Sequence, residues 1–206
     1  MTALRLLPLV LFLGACVAAE PGSAPASGGG IQLAGGVASA RPDLARAVAG
    51  LPAETAGFAR GGVADLERRH PGRGISVDYA TASRTAAATV AIYDLGQRGI
   101  PADPDSVAQR AEFDASVGEL TSLPPERTGR RFTEAGRFRL PVPGGPAFSC
   151  ADLDGMLGRN PVRQTICVGG ARGNFVKVQV TTISRNPQPA DARAFIAAIG
   201  QAARGQ

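Results

Sequence analysis

The run from Val162 to Ile183 limits the possible folds of this chain more than any other segment. Val162, Gln164, Ile166 and Val168 alternate with Arg163, Thr165 and Cys167, and Phe175 to Ile183 repeats the same period of two. That period sends successive side chains to opposite faces of a strand. Gly169-Gly170-Ala171-Arg172-Gly173-Asn174 lies between the two runs and reads as a bend, where glycine supplies the positive φ that a tight hairpin needs. The chain is therefore expected to build an antiparallel sheet around this hairpin, and its helices must cover that sheet.

The other elements follow from the same kind of pattern. Ile75, Val77 and Tyr79 alternate with Ser76, Asp78 and Ala80, and Ala88 to Tyr93 forms a second strand across the Thr81–Ala87 loop. Asp103-Pro104 reads as a helix start, with Asp103 as N-cap, and the helix should run to about Leu120. Phe113, Val117 and Leu120 form its apolar stripe, with Val107 and Ala111 beside them. Strands are expected again from Phe132, through Phe138, Leu140 and Val142, and over Phe148 to Leu153. A last helix, Pro189 to Ala203, carries Ala192, Phe195, Ile196, Ile199 and Ala203 on one face. The expected class is α+β: an antiparallel sheet with one central and one C-terminal helix packed on it, in the order β-β-α-β-β-β-α. With 44% hydrophobic residues but no tryptophan, the core must come from Val, Ile, Leu, Ala and a few Phe.

The first forty residues do not share this pattern. Arg5 precedes a short apolar run, Leu6 to Leu13, well below the ~20 residues that span a bilayer as a helix. From Val17 to Ala40 the chain is rich in Gly, Ala, Ser and Pro and has one charge, a composition that does not offset its ordering entropy. As a flexible coil it would span roughly 25–30 Å. Arg41-Pro42-Asp43 then opens a short helix over Leu44 to Val48. The expected organisation is a signal peptide over 1–15, a tether over 16–41 and a single α+β domain over 42–206.

Leu13-Gly14-Ala15-Cys16 resembles the bacterial lipobox, in which an aliphatic and two small residues precede a cysteine. The resemblance implies a diacylglyceryl thioether on Cys16, cleavage just before it and acylation of the new amine, with palmitate an expected chain. An ordinary secretory signal cut near Ala18 or Ala19, and a retained membrane anchor, are the rival readings. Two or more acyl chains would hold the protein on a membrane, since each buried CH₂ contributes ~0.8 kcal/mol. By the sorting rule of enteric lipoproteins, Val17 after the cysteine implies the outer membrane, facing the periplasm. The element order of the domain is similar to the PsbP/Mog1-like arrangement. Gly74-Ile75-Ser76-Val77-Asp78-Tyr79 with Val90-Ala91-Ile92-Tyr93-Asp94-Leu95-Gly96 also resembles uncharacterised exported bacterial proteins, and neither likeness implies a function.

With Cys16 lipidated, Cys150 and Cys167 are left as an even pair in an oxidising compartment, which favours a disulfide over two buried thiols. If their strands pair around Gly155–Pro161 the two face each other, and closing that loop is worth ~3 kcal/mol by chain entropy. No zinc spacing and no CxxC is present, so neither metal nor cofactor is expected. His70, the single histidine, lies in the turn-like Arg68-Arg69-His70-Pro71-Gly72 without a GxSxG elbow, and reads as a solvated loop residue. Asp152 and Asp154 flank Leu153 and could point the same way at a strand end, as an acid/base pair or cation site, although such a pair also serves as a solvated or turn-capping feature. These patterns favour a protein that is not an enzyme.

The formal charge of +5 is almost all arginine, with Lys177 the one lysine, and its spread argues against nucleic acid. The densest group is Arg127, Arg130, Arg131, Arg137 and Arg139, interleaved with Phe132 and Phe138. Guanidinium forks in such a cluster could hold phosphate or carboxylate. Glu126 and Glu134 offset part of the charge, and Arg137 and Arg139 also fit a solvated strand face opposite Phe138 and Leu140. The expectation is a membrane-anchored envelope lipoprotein whose domain binds a protein partner or serves structurally. The alternatives are a module binding anionic polymers (lipopolysaccharide, peptidoglycan) through Arg127–Arg139, and an enzyme with a cryptic site.

Overall fold

The computed structural model describes residues 41–122, 124, 126, 129–184 and 190–205, so Cys16, the tether and Arg127 lie outside the described residues. Its centre is one antiparallel sheet of eight strands: β1 (Glu54–Thr55), β2 (Phe58–Asp65), β3 (Ile75–Thr81), β4 (Ala86–Tyr93), β5 (Arg130–Val142), β6 (Gly145–Leu157), β7 (Asn160–Ala171) and β8 (Asn174–Ile183). The order across the sheet is β1-β2-β3-β4-β8-β7-β6-β5. Two four-stranded meanders thus meet at the β4–β8 pair, where Ala86 to Tyr93 run against Thr182 to Phe175. Helix α2 (Val107–Thr121) carries the chain from the middle of the sheet to its far edge. Helices α1 (Pro42–Ala49) and α3 (Ala192–Arg204) pack on the opposite face.

Each face buries its own core. Under α1 and α3 lie Leu44, Phe58, Tyr79, Phe195, Ile196 and Ile199, all nearly or wholly buried. The Phe195 ring stands 4.5 Å from Phe58 and 5.1 Å from Tyr79 between centroids. Side chains of this size stabilise by ~1.5–3 kcal/mol each when fully buried. Under α2 lie Phe113, Val117 and Leu120 against Phe132, Leu153 and Ile166. The expected stripe of α3 is the buried one, apart from Ala192, which is half-buried at the helix start. The expected facing of the two cysteines also holds: Cys150 and Cys167 are register partners on β6 and β7, with Cα atoms 4.1 Å apart and their sulfurs bonded.

The α+β class stands, with more strands than the expected order. Four strands follow α2, as the four runs read from Phe132 to Ile183 require although the expected order counted three, and a hairpin of β1 and β2 precedes β3. The β2 strand exposes most of its residues at the sheet edge and its register shifts between Arg60 and Val63, so it lacks a clean alternation. Helix α2 starts three residues later than Asp103-Pro104 suggests. Asp103 instead holds a preceding turn, accepting from the Asp105 amide (2.9 Å), and Ser106 caps the helix through the Gln109 amide (3.3 Å). This start leaves Val107 77% exposed, and Ala111 is exposed too, while Gln109 and Ser116 turn inward.

Gly169 and Gly170 belong to β7, not to the bend, which is the two-residue turn Arg172-Gly173 (φ +50° and +76°). Gly169 is needed for close approach: a Cβ there would stand 1.9 Å from Cδ1 of Phe148. The β6–β7 turn is likewise shorter than Gly155–Pro161, because β6 continues to Leu157 and β7 starts at Asn160.

Candidate functional site

The α2 face of the sheet is only partly covered. Helix α2 contacts β5, β6 and β7 but ends before it reaches the distal part of β4 and β8. The uncovered strand ends floor a cleft of about 360 Å³. Thr89 of β4, Gln179 and Thr181 of β8 and Gln164 of β7 form this floor as polar rungs across three adjacent strands. Gln164 Nε2 donates to Gln179 Oε1 at 3.4 Å, a long bond that leaves both amides hydrogen-bonding capacity. The Thr89 hydroxyl donates to Asp78 at the cleft margin, 3.1 Å away. Arg84 and Arg130 stand at the walls with Phe132. Leu157 and Ile183 close the open end, 43% and 38% exposed. The lining combines hydrogen-bonding amides and hydroxyls with apolar rims, and includes no imidazole, thiol or carboxylate among the described residues.

Towards the helix the floor continues into a partly buried polar cluster. Lys177 is two residues before Gln179 on β8, and its Nζ lies 3.9 Å from Glu112 of α2 and 5.3 Å from the centroid of the Tyr93 ring. Glu112 also accepts from the Tyr93 phenol and from Ser116 Oγ (3.0 Å). Burial pushes the Tyr93 phenol well above its ordinary range, and the adjacent Glu112 carboxylate adds to that shift. These groups satisfy one another and clamp α2 to the sheet. They set the inner end of the cleft without opening into it as reactive groups.

The residues singled out in the sequence are dispersed. His70 is exposed in the β2–β3 loop, where its backbone closes turns with Leu66 and Arg73. Asp152 and Asp154 share one face of β6, inside the strand and not at its end. Asp152 accepts from Thr165 Oγ1 (2.6 Å) and lies 3.6 Å from Arg193, while Asp154 pairs with Arg163 at 3.1 Å. Three strands separate β3 from β6, ~19 Å of sheet, so the fold does not gather the histidine with these carboxylates.

The arginines of β5 divide into two groups. Arg137 is held by Glu134 (2.7 Å) and Asp114 (2.5 Å) and lies over the Phe113 ring. Arg139 binds Asp105 (2.5 Å) and Ser149 Oγ (2.7 Å). Arg137 in turn holds the Glu134 carboxyl below the usual carboxylate range. Both arginines therefore fasten the edge strand to α2 and its N-terminal turn. Arg130 lines the cleft, and Arg131 points into a smaller hollow beside Met156.

The cleft residues Gln164, Gln179 and Thr181 were expected in strands but not among the candidate site residues. Their signal was a change of character along one strand face: Phe175 is followed at period two by Lys177, Gln179 and Thr181, marking where helix cover ends.

At the other end of the sheet, a second hollow of about 760 Å³ is lined by Arg41, Glu67, Asp94, Arg98, Arg172 and neighbouring glycines. Its two buried carboxylates hold their own loops. Glu67 accepts from the Gly72 and Gly74 amides (2.9 and 2.8 Å), and Asp94 from the Gly96 amide (2.8 Å) and Arg41 (2.9 Å).

No protein family and no curated protein matches this chain. Among solved structures, the chain is similar to the solution structure of cyanobacterial PsbP (CyanoP) from Synechocystis sp. PCC 6803. The TM-score is 0.40 at 14% identity, over 64% of this chain and 83% of that one.

Proposed function

We propose that this chain is a lipid-anchored, non-enzymatic binding domain of the bacterial cell envelope, held to the outer membrane by acyl chains on Cys16 on its periplasmic side. Its domain receives a segment of a protein partner in the cleft beside α2. One observation carries the binding reading: Thr89, Gln164, Gln179 and Thr181 present amides and hydroxyls across three strands, between the apolar rims Leu157 and Ile183. Such a surface can satisfy the backbone of an extended segment while its margins bury apolar side chains. The anchoring half rests on the sequence, on Leu13-Gly14-Ala15-Cys16 and the short apolar run before it.

A second reading, an anionic envelope polymer as the ligand, is favoured by Arg84 and Arg130 on the cleft walls. Photocrosslinking in intact envelopes from position 181 separates the two. A discrete protein adduct that Gln179→Trp abolishes supports the partner. A polymer ladder of lipopolysaccharide or peptidoglycan replaces it, and no adduct removes the cleft as the site. Intact mass tests the anchor separately: the mature chain should start at Cys16 and carry acyl chains, and an unmodified Cys16 removes that half.

A further inference from the structure

The described chain begins at Arg41, and the forty residues before it join the domain there. Arg41 binds Asp94 at the β4 end of the β4–α2 connection and lies 3.7 Å from Glu67 in the β2–β3 loop, so the tether attaches at this end of the sheet. The two loops also touch directly, the Leu95 amide donating to the Gly72 carbonyl at 2.8 Å.

Over 66–74 and 94–99 the charges are sorted by burial, while the exposed Asp103 and Asp105 of the same connection lie further along, next to α2. The acidic side chains Glu67 and Asp94 are buried, 7% and 5% exposed, and engaged by loop amides and Arg41. Asp43 is held by Arg41 as well (2.9 Å). The basic side chains of the same loops, Arg68, Arg69, Arg73 and Arg98, are all exposed, and none forms an ion pair with a described residue. Among them stand Leu66 and Leu95, two large apolar side chains left 41% and 40% exposed. Outward arginines and exposed leucines at the tethered end suit a surface with negative headgroups over an apolar interior.

We propose that this loop end, through Arg68, Arg69, Arg73 and Arg98 with Leu66 and Leu95, docks on the anionic phospholipid headgroups of the membrane that anchors the chain. The inference deepens the anchoring reading above and rests on it. Each arginine near an anionic surface strengthens association roughly fivefold. The tether keeps the domain at an effective concentration of order millimolar, so weak attraction is enough to orient it.

The test uses the full processed, lipidated chain in vesicles of phosphatidylcholine alone or with phosphatidylglycerol. It reads flotation together with amide hydrogen exchange over 66–74 and 95–99. Expected are flotation with both vesicles and exchange slowed several-fold in these loops on phosphatidylglycerol only. The slowing should be lost at 0.5 M salt and in the quadruple variant Arg68→Gln, Arg69→Gln, Arg73→Gln, Arg98→Gln. Flotation with both vesicles but equal exchange overturns the docking and leaves the anchor intact. Failure to float with phosphatidylcholine tells against the anchor. Docking is then decided on phosphatidylglycerol alone: binding that the quadruple variant loses supports it, and no binding overturns it.

Discussion

Gly169→Ala sets local propensity against packing. In a strand interior, alanine has lower backbone entropy cost than glycine, and at a compatible site the change stabilises by ~0.4–1 kcal/mol. At Gly169 the new methyl would lie 1.9 Å from Cδ1 and 2.1 Å from Cε1 of Phe148, a fully buried ring. Ordinary carbon contact requires a retreat of roughly 1.5–2 Å. The ring has little room to retreat, because a Cβ on Gly200 would already stand 2.9 Å from its Cζ, and the Arg204 guanidinium lies 5.3 Å from its centroid. The strain falls on the pairing of Gly169 with Val176 at the centre of the sheet. Overpacking of this kind costs ~1–3 kcal/mol, and the poor escape route places Gly169→Ala near about 3. For a domain of this size, that lowers Tm by roughly 6–12 °C. Urea unfolding followed by far-ultraviolet circular dichroism suits a chain without tryptophan. Phe148→Leu should recover at least about 1 kcal/mol of the Gly169→Ala loss in a double-mutant cycle. A Gly169→Ala protein as stable as wild type, or strictly additive losses in the double variant, would refute the close-packing account of this strand.

Three further outcomes follow from other contacts. Replacing Cys150 and Cys167 together by Ala should destabilise the domain by ~3 kcal/mol, read as a lower urea midpoint, and a midpoint matching the oxidised wild type would deny the cross-strand bond a stabilising role. Burial raises the Tyr93 and Tyr79 phenols, so above pH ~10 the folded state keeps protons that the unfolded chain releases. Stability is then full below about pH 10 and falls above it by up to ~1.4 kcal/mol per pH unit for each phenol; Tyr93→Phe should flatten that fall, and an unchanged slope would contradict its burial. Asp105→Asn with Asp114→Asn removes two partners of Arg139 and Arg137. These pairs are largely exposed, so stability should change by less than ~1 kcal/mol while retention on a heparin column rises; unchanged retention would mean the arginines were never neutralised.

The legible parts of the fold were those in which one physical signal dominates. The α3 stripe of Phe195, Ile196 and Ile199 is read directly from its spacing, as is the pairing of the strands that bear Cys150 and Cys167. Helix α2 was less legible, because its buried side includes Gln109 and Ser116. Gln109 Nε2 is satisfied by the Pro101 carbonyl at 2.8 Å, a tertiary contact with no trace in a hydropathy pattern. The edge hairpin of β1 and β2 carried too little alternation because most of β2 is exposed. For the site, the arginine cluster was visible but its role was not. Arg137 finds its anion on α2 and Arg139 in the turn before it, 23 and 34 residues away in sequence. Gln164 and Gln179 gave the reverse case: unremarkable polar residues in sequence, they become a cleft floor because α2 stops short of them.

The cleft and the arginine loops lie at opposite ends of the same strands. On β4, Ala86 borders the cleft while Tyr93 leads into the loop of Leu95 and Arg98, about 25 Å away along the strand. If the loop end faces the headgroups, the cleft therefore faces away from the membrane. With the loops docked, the length of β4 sets the cleft about 25 Å from the headgroups. Binding at the cleft and docking at the loops need not compete for the same groups, since no side chain lines both. The two readings also respond differently to salt: loop attraction between exposed charges weakens as the Debye length shortens, whereas hydrogen bonds from Gln164 and Gln179 are nearly indifferent to it. A partner that leaves the cleft at high salt while the loops stay protected would reverse this assignment of charge to one end and hydrogen bonding to the other.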